Sequence, residues 1–289
     1  MLPSMRFYII SIVSIFVALG IGIFIGFTMD TQEFVTDQKN IINDVIESQF
    51  QTLIDENKDL KAQINTLETD NENKNEYINL SYEPIIKERL EGLNIGIIST
   101  NEDYITSGIG RDLELAGARV MNVTTLNNNI VDKERLNNLY TELNVDIPKN
   151  PLGNMITTIT ESIISGVPAP ILESLERQGF IETIGNYSEA VDYLIITGGS
   201  FNDNSKRINQ VDRLIVEISK RYNIPIIGVE KSNVNYSYIS GYKDLGIPTV
   251  DNVDMTIGKV AMIFAMDGMG GHYGIKNTAE KVIPYLDKE

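Results

Sequence analysis

The pattern of apolar and polar residues divides the chain into three parts, and the first is an uncharged apolar run over residues 7–29. A helix of this length, rising about 1.5 Å per residue, crosses the roughly 30 Å hydrocarbon core of a bilayer. No small-residue cleavage pattern follows the run, so the sequence predicts an uncleaved transmembrane anchor over residues 1–29 rather than a signal peptide.

The charges beside this run predict its orientation. Arg6 precedes it, whereas Asp30, Glu33 and Asp37 follow it. Because basic residues are retained on the cytoplasmic side, we expect a single pass through the cell membrane with the N-terminus in the cytoplasm. Everything after the anchor is then expected to be extracytoplasmic.

The second part, residues 30–83, carries a seven-residue repeat and is predicted to form a coiled-coil stalk. Asn57 lies at an a position, where asparagine favours two parallel strands, so we expect a homodimer. Gly22 and Gly26 in the anchor form a G-x-x-x-G pattern that lets two helices approach closely. The alternative is one amphipathic helix lying on its own domain, and Pro84 is expected to end the helix. The d positions of the repeat are Ile46, Leu53, Leu60 and Leu67.

The third part, residues 92–289, alternates short apolar runs with amphipathic helical patterns. Strands that alternate with helices imply right-handed crossovers and a parallel sheet. The sequence therefore predicts a doubly wound, mostly parallel α/β domain of the Rossmann or flavodoxin-like type. The predicted strands are residues 93–99, 119–125, 192–200, 224–230 and 247–250, and the predicted helices are residues 108–116, 132–143, 153–165, 206–222 and 255–266.

Open α/β sheets bind ligands beyond the carboxyl ends of their strands, which selects candidate recognition residues. Two adjacent glycines after the 192–200 strand would let a backbone or an anion come close. The alternative interpretation is that they simply form a strand-to-loop turn. The candidates at these strand ends are Thr100, Asn101, Gly198, Gly199, Ser200 and Glu230.

Composition excludes several classes of function. The formal charge of −16 opposes binding to nucleic acid, whose phosphates need a basic surface. The chain has no cysteine, which excludes disulfides, zinc–thiolate sites, iron–sulfur clusters and thiol nucleophiles. Neither a P-loop motif nor a G-x-S-x-G elbow is present, and Leu113 replaces the third glycine of the dinucleotide fingerprint that begins at Gly108. No motif thus supports an enzyme, and we expect no enzymatic activity; the weaker alternative is a remote hydrolase that lacks the usual nucleophile.

The only histidine, His272, lies in the glycine-rich stretch DGMGGHYG after the last predicted helix. Thioether sulfur and imidazole nitrogen together form a soft site that suits Cu(I), so Met266, Met269 and His272 are candidate ligands. Methionine on an apolar helix face is also ordinary core filling, and both interpretations stay open for Met255 and Met262. Gly271, Tyr273 and Gly274 around the histidine are further candidate recognition residues.

These C-terminal motifs resemble the mycobacterial copper transport protein B family. The resemblance lies in VDNVD at residues 250–254, GKVA at residues 258–261, Gly268 and GHYG at residues 271–274. It extends along nearly the whole chain, through the uncharged helix, the coil and the α/β domain. It implies copper handling, because members are described as copper transport proteins that limit copper accumulation. A corynebacterial relative is instead linked to cell division and envelope assembly, with a cytoplasmic-side partner.

Two functions follow from these observations. The first is copper transport or homeostasis at the cell envelope, with copper as the ion handled. The second is a dimeric, membrane-tethered scaffold for cell division or envelope assembly, without transport or catalysis. Both functions predict attachment to the membrane, a homodimer formed through the anchor and the coil, and no nucleic-acid partner.

Overall fold

A computed structural model describes residues 5–104, 108–202 and 205–284, with only the helical backbone described at 29–38, 40, 41 and 205. Residues 1–4 of the predicted anchor and 285–289 of the predicted domain lie outside the described residues. The chain separates into two compact units, Met1–Lys74 and Asn75–Glu289. The predicted domain boundaries at residues 29, 83 and 92 stay predictions.

The first helix, α1 (Met5–Ile86), contains both the apolar run and the predicted stalk. Its segment Met5–Thr28 has a mean hydropathy of 2.7 and no buried residue. Among the residues that the structure describes, this is the one helix long and apolar enough to cross a membrane. The predicted single apolar helix is confirmed.

Helix α1 continues past Pro84 to Ile86, so the prediction that proline ends it is wrong. Proline removes one backbone N–H, yet the N–H of Lys87 still donates to the carbonyl of Glu83 at 3.0 Å. The side chain of Ile86 is fully buried against the domain. Burial of Ile86 stabilises the last turn of the helix, although a proline disfavours the helical conformation of the residue before it.

The strands form one seven-stranded sheet in the order β3-β2-β1-β4-β5-β6-β7. All pairs are parallel except β2 with β3, which are antiparallel. The predicted mixed α/β class with a mostly parallel sheet is therefore confirmed. The strands are β1 (Asn94–Ser99), β2 (Arg119–Leu126), β3 (Ile181–Gly185), β4 (Tyr193–Thr197), β5 (Ile226–Val229), β6 (Thr249–Val250) and β7 (His272–Tyr273).

Eight further α-helical segments join these strands within the described residues. They are α2 (Ile109–Leu115), α3 (Lys133–Glu142), α4 (Pro151–Ser165), α5 (Leu172–Arg177), α6 (Ser205–Arg207), α7 (Arg213–Arg221), α8 (Ile239–Asp244) and α9 (Thr256–Phe264). A π-helical turn, Ile208–Asp212, joins α6 to α7, and a second, Ala265–Met269, follows α9. A short 3₁₀ turn, Asn128–Val131, precedes α3.

Apolar side chains cover the sheet on both faces, because alternate residues of a strand point to opposite sides. Ile98, Leu194 and Ile196 belong to an apolar cluster shared with α3, α4, α5, α7 and α8. Ile97 and Ile195 belong to a second cluster, shared with α2, α9 and the end of α1. We call these the α4 face and the α9 face of the sheet.

Two strands differ from the sequence interpretation. The antiparallel edge strand β3 was not predicted at all. The glycine-rich sequence around His272 predicts a loop after the last helix, whereas His272 and Tyr273 form β7, which pairs in parallel with β6. The N–H of Thr249 donates to the carbonyl of Gly271 at 3.0 Å, and the N–H of Asp251 donates to the carbonyl of Tyr273 at 3.2 Å.

Candidate functional site

The carboxyl ends of β1 and β4 meet where the strand order reverses, which is where open α/β sheets bind ligands. In this protein, direct hydrogen bonds close that junction. The hydroxyl of Thr197 donates to the hydroxyl oxygen of Ser99 at 3.0 Å. The side-chain amide of Asn101 donates to the carbonyl of Gly199 at 2.8 Å, and the N–H of Thr100 donates to the carbonyl of Thr197 at 3.0 Å.

The glycine pair after β4 lies against the protein's own side chains. A Cβ at Gly198 would lie 2.3 Å from the hydroxyl oxygen of Tyr242, so only glycine fits there. Gly199 has a φ of 92°, and a Cβ there would lie 2.6 Å from a methyl carbon of Val234. Ser200 is buried and donates to the carbonyl of Asn202 at 2.6 Å. These contacts describe a closely packed turn, and ligand recognition by Gly198, Gly199 and Ser200 stays a prediction.

Beneath this edge, a buried arginine ties the ends of two strands together. Arg207 is only 1% exposed. Its Nε donates to the carbonyl of Thr100, and its Nη2 donates to the carbonyls of Leu126 and Asn127 at 2.9 and 3.3 Å. Burial lowers the pKa of Arg207, and the negative charge of Asp212 opposes that shift. The guanidinium thus satisfies carbonyl groups at the ends of both β1 and β2.

Asp212, at the end of the first π turn, is the charge partner of Arg207 and is fully buried. One of its carboxylate oxygens accepts hydrogen bonds from the hydroxyls of Tyr242 at 2.9 Å and Thr100 at 3.4 Å. Burial raises the pKa of Asp212 to about 7, against the opposing effects of the Tyr242 hydrogen bond and the Arg207 charge. Within the described part of the chain, Oδ1 of Asp212 and Nη1 of Arg207 have no hydrogen-bond partner.

A cavity of about 380 Å³ lies on the α9 face beside β1, β2 and β3. Apolar side chains from the three strands, Ile97, Val123 and Ile184, form part of its wall. Asn101, Glu102, Tyr104 and Glu182 are among its polar lining residues. Of the candidate recognition residues, the cavity therefore includes Asn101, at the end of β1.

The segment after β7 folds back onto buried carboxylates at the ends of β5 and β6. Asp251 is buried and accepts hydrogen bonds from the N–H groups of Ile275 and Lys276 at 2.8 and 3.0 Å. The ammonium of Lys276 lies 2.5 Å from a carboxylate oxygen of the buried Glu230. Glu230 also accepts hydrogen bonds from the N–H of Tyr238 at 2.8 Å and the hydroxyl of Ser237 at 2.6 Å. Glu230, a predicted ligand residue, thus serves an internal network.

His272 is held by its partner in the neighbouring strand. Its Nδ1 lies 3.0 Å from the hydroxyl oxygen of Thr249, the residue opposite it in β6. Burial, and then the positive charge of Lys243, lower the pKa of His272, while Glu280 opposes the shift. The imidazole is therefore neutral at neutral pH, and its orientation is fixed through Nδ1.

The structure places the three predicted copper ligands in different surroundings. Met266 is buried in the apolar cluster of the α9 face, together with Met262 and Tyr273. Because His272 and Tyr273 are adjacent in β7, their side chains point to opposite faces, and His272 therefore lies on the α4 face. Met269 lies between them in the chain and is 36% exposed. The sheet thus separates Met266 from His272.

The glycines around His272 allow the backbone to pass from the second π turn into β7. Gly271 has a φ of 89°, and a Cβ there would lie 2.7 Å from the hydroxyl oxygen of Tyr273. That hydroxyl donates to the carbonyl of Met269 at 3.4 Å. Among the described residues, no group of three or more histidine, aspartate or glutamate side chains is arranged to hold a metal ion.

The predicted dimer residues of α1 are exposed among the residues that the structure describes. The heptad side chains of Ile46, Leu53, Leu60 and Leu67 are 46–66% exposed. Asn57 is likewise exposed. A Cβ at Gly22 or Gly26 would find no atom within 4 Å among the described residues.

Sequence reasoning missed Arg207 and Asp212, although both lie at the carboxyl edge. The helical pattern over residues 206–222 showed them only as charged positions of an amphipathic helix. At such positions, the only local signal that distinguishes a buried charge from a solvated one is the register of the charged residue relative to the apolar stripe of the helix.

An apolar helix long enough to cross a membrane, followed by a mostly parallel α/β sheet, is typical of a membrane-associated protein of the mixed α/β class. The family model described as "Copper transport outer membrane protein, MctB" matches residues 2–284. The chain belongs to this family, and it is a copper-transport-related membrane protein rather than a member of a known enzyme family. A comparison with curated proteins gives no match.

Proposed function

We propose that this protein handles copper at the cell envelope from a membrane-anchored position, and that it holds Cu(I) through Met269 and His272. The observation that carries the copper function is the family match over residues 2–284. The contacts of His272 with Thr249 support the choice of ligands. Copper is here the ion that the protein handles and not a resident cofactor.

The surroundings of His272 suit a ligand for a soft cation. A metal binds the neutral imidazole, and the lowered pKa of His272 favours that form. Thr249 engages Nδ1, which leaves Nε2 for a metal and fixes the ring orientation, as a hydrogen bond behind a ligating histidine commonly does. Lys243 adds a positive charge nearby, so the site would favour a monovalent over a divalent copper ion.

Met269 is the thioether that fits best beside His272. It precedes His272 by three residues and is partly exposed, so turning its side chain towards a metal would not open the core. Met266 is committed to the α9 face, and using it would take a buried side chain out of an apolar cluster. Thioether sulfur and imidazole nitrogen together favour Cu(I) over harder cations.

The membrane arrangement belongs to the same proposal. We place Met5–Thr28 in the bilayer, the stalk as a parallel coiled-coil homodimer, and the doubly wound α/β domain outside the cytoplasm. The uncovered heptad side chains support the dimer, because a second copy would bury them. We assign the protein no catalytic activity.

Competition for Cu(I) against a colorimetric chelator tests this function, with the full chain in detergent under reducing conditions. The His272→Ala/Met269→Leu double variant is expected to lose at least tenfold in affinity, which equals about 1.4 kcal/mol. Met255→Leu is the matched control, because Met255 is also partly exposed but lies before α9. An unchanged affinity in the double variant would refute the assignment of Met269 and His272 as ligands. Absence of Cu(I) binding by the native chain would refute direct copper binding.

A scaffold role is the second candidate, favoured by the exposed heptad stripe of α1. In this role the coil sets a distance and the domain binds an envelope partner. Replacing residues 43–71 with an unrelated dimeric coil of equal length should then preserve function in cells, whereas removing two heptads should not. Full function from a chain without any coil would exclude the scaffold.

A further inference from the structure

The outer edge of β3 carries backbone groups that nothing in the described chain pairs. Two hydrogen bonds fix the phase of the antiparallel ladder, from the N–H of Asn127 to the carbonyl of Phe180 at 2.9 Å and from the N–H of Asn186 to the carbonyl of Met121 at 3.1 Å. Because hydrogen-bonded pairs alternate along such a ladder, even-numbered residues of β3 face β2. The N–H and C=O groups of Ile181, Thr183 and Gly185 therefore point outwards.

Two clefts lie on either side of this edge. The cavity of about 380 Å³ on the α9 face is lined in part by Glu182 and Ile184. A second cleft of about 320 Å³, on the α4 face, is lined in part by Ile181 and Thr183. The alternation of β3 side chains thus directs one set into each cleft. An added strand would likewise project its own side chains alternately over the two clefts.

Both clefts are acidic. Glu102 and Glu182 line the first, while Glu173 and Glu176 line the second. Within the described residues none of these four carboxylates forms a salt bridge, and neither lining contains a lysine or arginine. Ile184, an apolar residue on the same edge, is 68% exposed.

From the free edge and its two acidic clefts, we infer that β3 binds an extended basic segment of a partner protein by strand addition. The main-chain groups of Ile181, Thr183 and Gly185 would pair with the segment, as in other recognition by added strands. Lysine or arginine side chains on both faces of the segment would lie beside the carboxylates of the two clefts, and a small apolar side chain would cover Ile184. The site is separate from the copper ligands proposed at Met269 and His272.

A second copy of this chain fits the same edge less well. Pairing β3 with β3 would bring Glu182 of one copy close to the acidic cleft of the other, and like charges that face each other across strands are unfavourable. The overall charge of −16 adds to this repulsion at low ionic strength. A basic partner instead neutralises the carboxylates.

Binding of a fluorescent peptide tests the inference. The probe is a capped seven-residue peptide of lysine, valine and threonine with lysines at both odd and even positions, so that lysine side chains project over both clefts. It is titrated into the full chain in detergent. We expect saturable binding that slows hydrogen exchange of the amides within residues 181–185. Two control peptides separate the contribution of charge from that of backbone hydrogen bonds. Glutamate in place of lysine should abolish binding by reversing the charge, and N-methylation at alternate residues should abolish it by removing backbone N–H donors. Absence of binding, or equal binding of the N-methylated peptide, would overturn the inference.

Variants of the protein locate the site. Glu182→Lys should weaken binding about fivefold or more, since it replaces a cross-strand attraction with a repulsion. Glu217→Lys makes the same charge change on the exposed face of α7 and should leave binding unchanged. Equal weakening by both variants would show a charge effect without a site and would contradict the inference.

A separate experiment tests whether a second copy of this chain occupies the β3 edge. Because the chain has no cysteine, Ile184→Cys gives a single thiol on the β3 edge. We expect no disulfide-linked dimer from it under mild oxidation. Efficient cross-linking would show that another copy occupies this edge, and it would overturn the assignment to a basic partner.

Discussion

Gly274 lies directly against the carboxylate of Asp251. A Cβ added at Gly274 would lie 2.1 Å from both the carboxyl carbon and one carboxylate oxygen of Asp251, and the φ of Gly274 is 141°. The same carboxylate accepts hydrogen bonds from the N–H groups of Ile275 and Lys276. The last glycine of the GHYG motif therefore lets the chain leave β7 and turn onto a buried acid. The motif has a structural reason independent of any metal.

Gly274→Ala should lower the free energy of unfolding by about 3 kcal/mol, since a methyl group would displace the buried Asp251. Gly268→Ala is the matched control: Gly268 also has a positive φ of 95°, but a Cβ there meets no atom within 4 Å among the described residues. It should cost only the conformational term of about 1 kcal/mol. Urea unfolding followed by tyrosine fluorescence measures both, as the chain has no tryptophan. Equal losses would mean that backbone strain alone explains Gly274.

The raised pKa of Asp212 predicts a pH dependence of stability. Because the folded-state pKa of about 7 lies above the ordinary value of 3.8, the contribution of this carboxyl is fully present below about pH 3.8. It is lost as the pH rises towards about 7. Asp212→Asn does not titrate, so the stability advantage of the native chain over the variant should shrink between about pH 4 and 7. A constant difference across that range would show that Asp212 is ionised throughout.

Above pH 7, where Asp212 is ionised, Arg207→Met should destabilise the domain by about 3–5 kcal/mol, because it leaves that charge buried without its opposite charge. It also removes the donors to the carbonyls of Thr100 and Leu126. Adding Asp212→Asn to this variant should restore part of the loss, since the two changes act on one network. Unfolding free energies of the native chain, both single variants and the double variant complete this cycle. Strict additivity would contradict coupling between the two residues.

The stalk should dimerise through its heptad stripe. We expect Leu53→Glu together with Leu60→Glu to convert the dimer into a monomer, because both side chains would face the partner helix. Ala62→Glu, on the outer side of the same repeat, should leave the dimer intact. Sedimentation of the full chain in density-matched detergent measures whether it is a monomer or a dimer. A native chain that sediments as a monomer would refute the coil.

Much of the fold could be predicted from periodicity. The buried run at β4 and the amphipathic pattern around α4 are strong local signals, and both elements lie where they were expected. The edge strand β3 was missed because Glu182 and Gly185 interrupt its short apolar pattern. Strand β7 was missed because its two residues are flanked by glycines, and only pairing with β6 makes them a strand.

The candidate site was less predictable, because its contacts join residues distant in sequence. The histidine and its neighbouring methionines are adjacent in the chain, which suggested one cluster. Strand alternation in β7 instead directs His272 away from Met266. Likewise, the glycine pair after β4 looked open, whereas Tyr242 from a later helix fills the space beside Gly198. A local sequence pattern cannot show which side chain from a distant part of the chain packs against such a glycine.

X-ray absorption by the full chain loaded with one equivalent of Cu(I) tests the proposed copper site most directly. We expect sulfur and nitrogen neighbours around copper. Met269→Leu should remove the sulfur signal and keep the nitrogen, while Met266→Leu should leave the spectrum unchanged. A spectrum without sulfur, or one that loses sulfur with Met266→Leu but not with Met269→Leu, would contradict the assignment of copper to Met269 and His272.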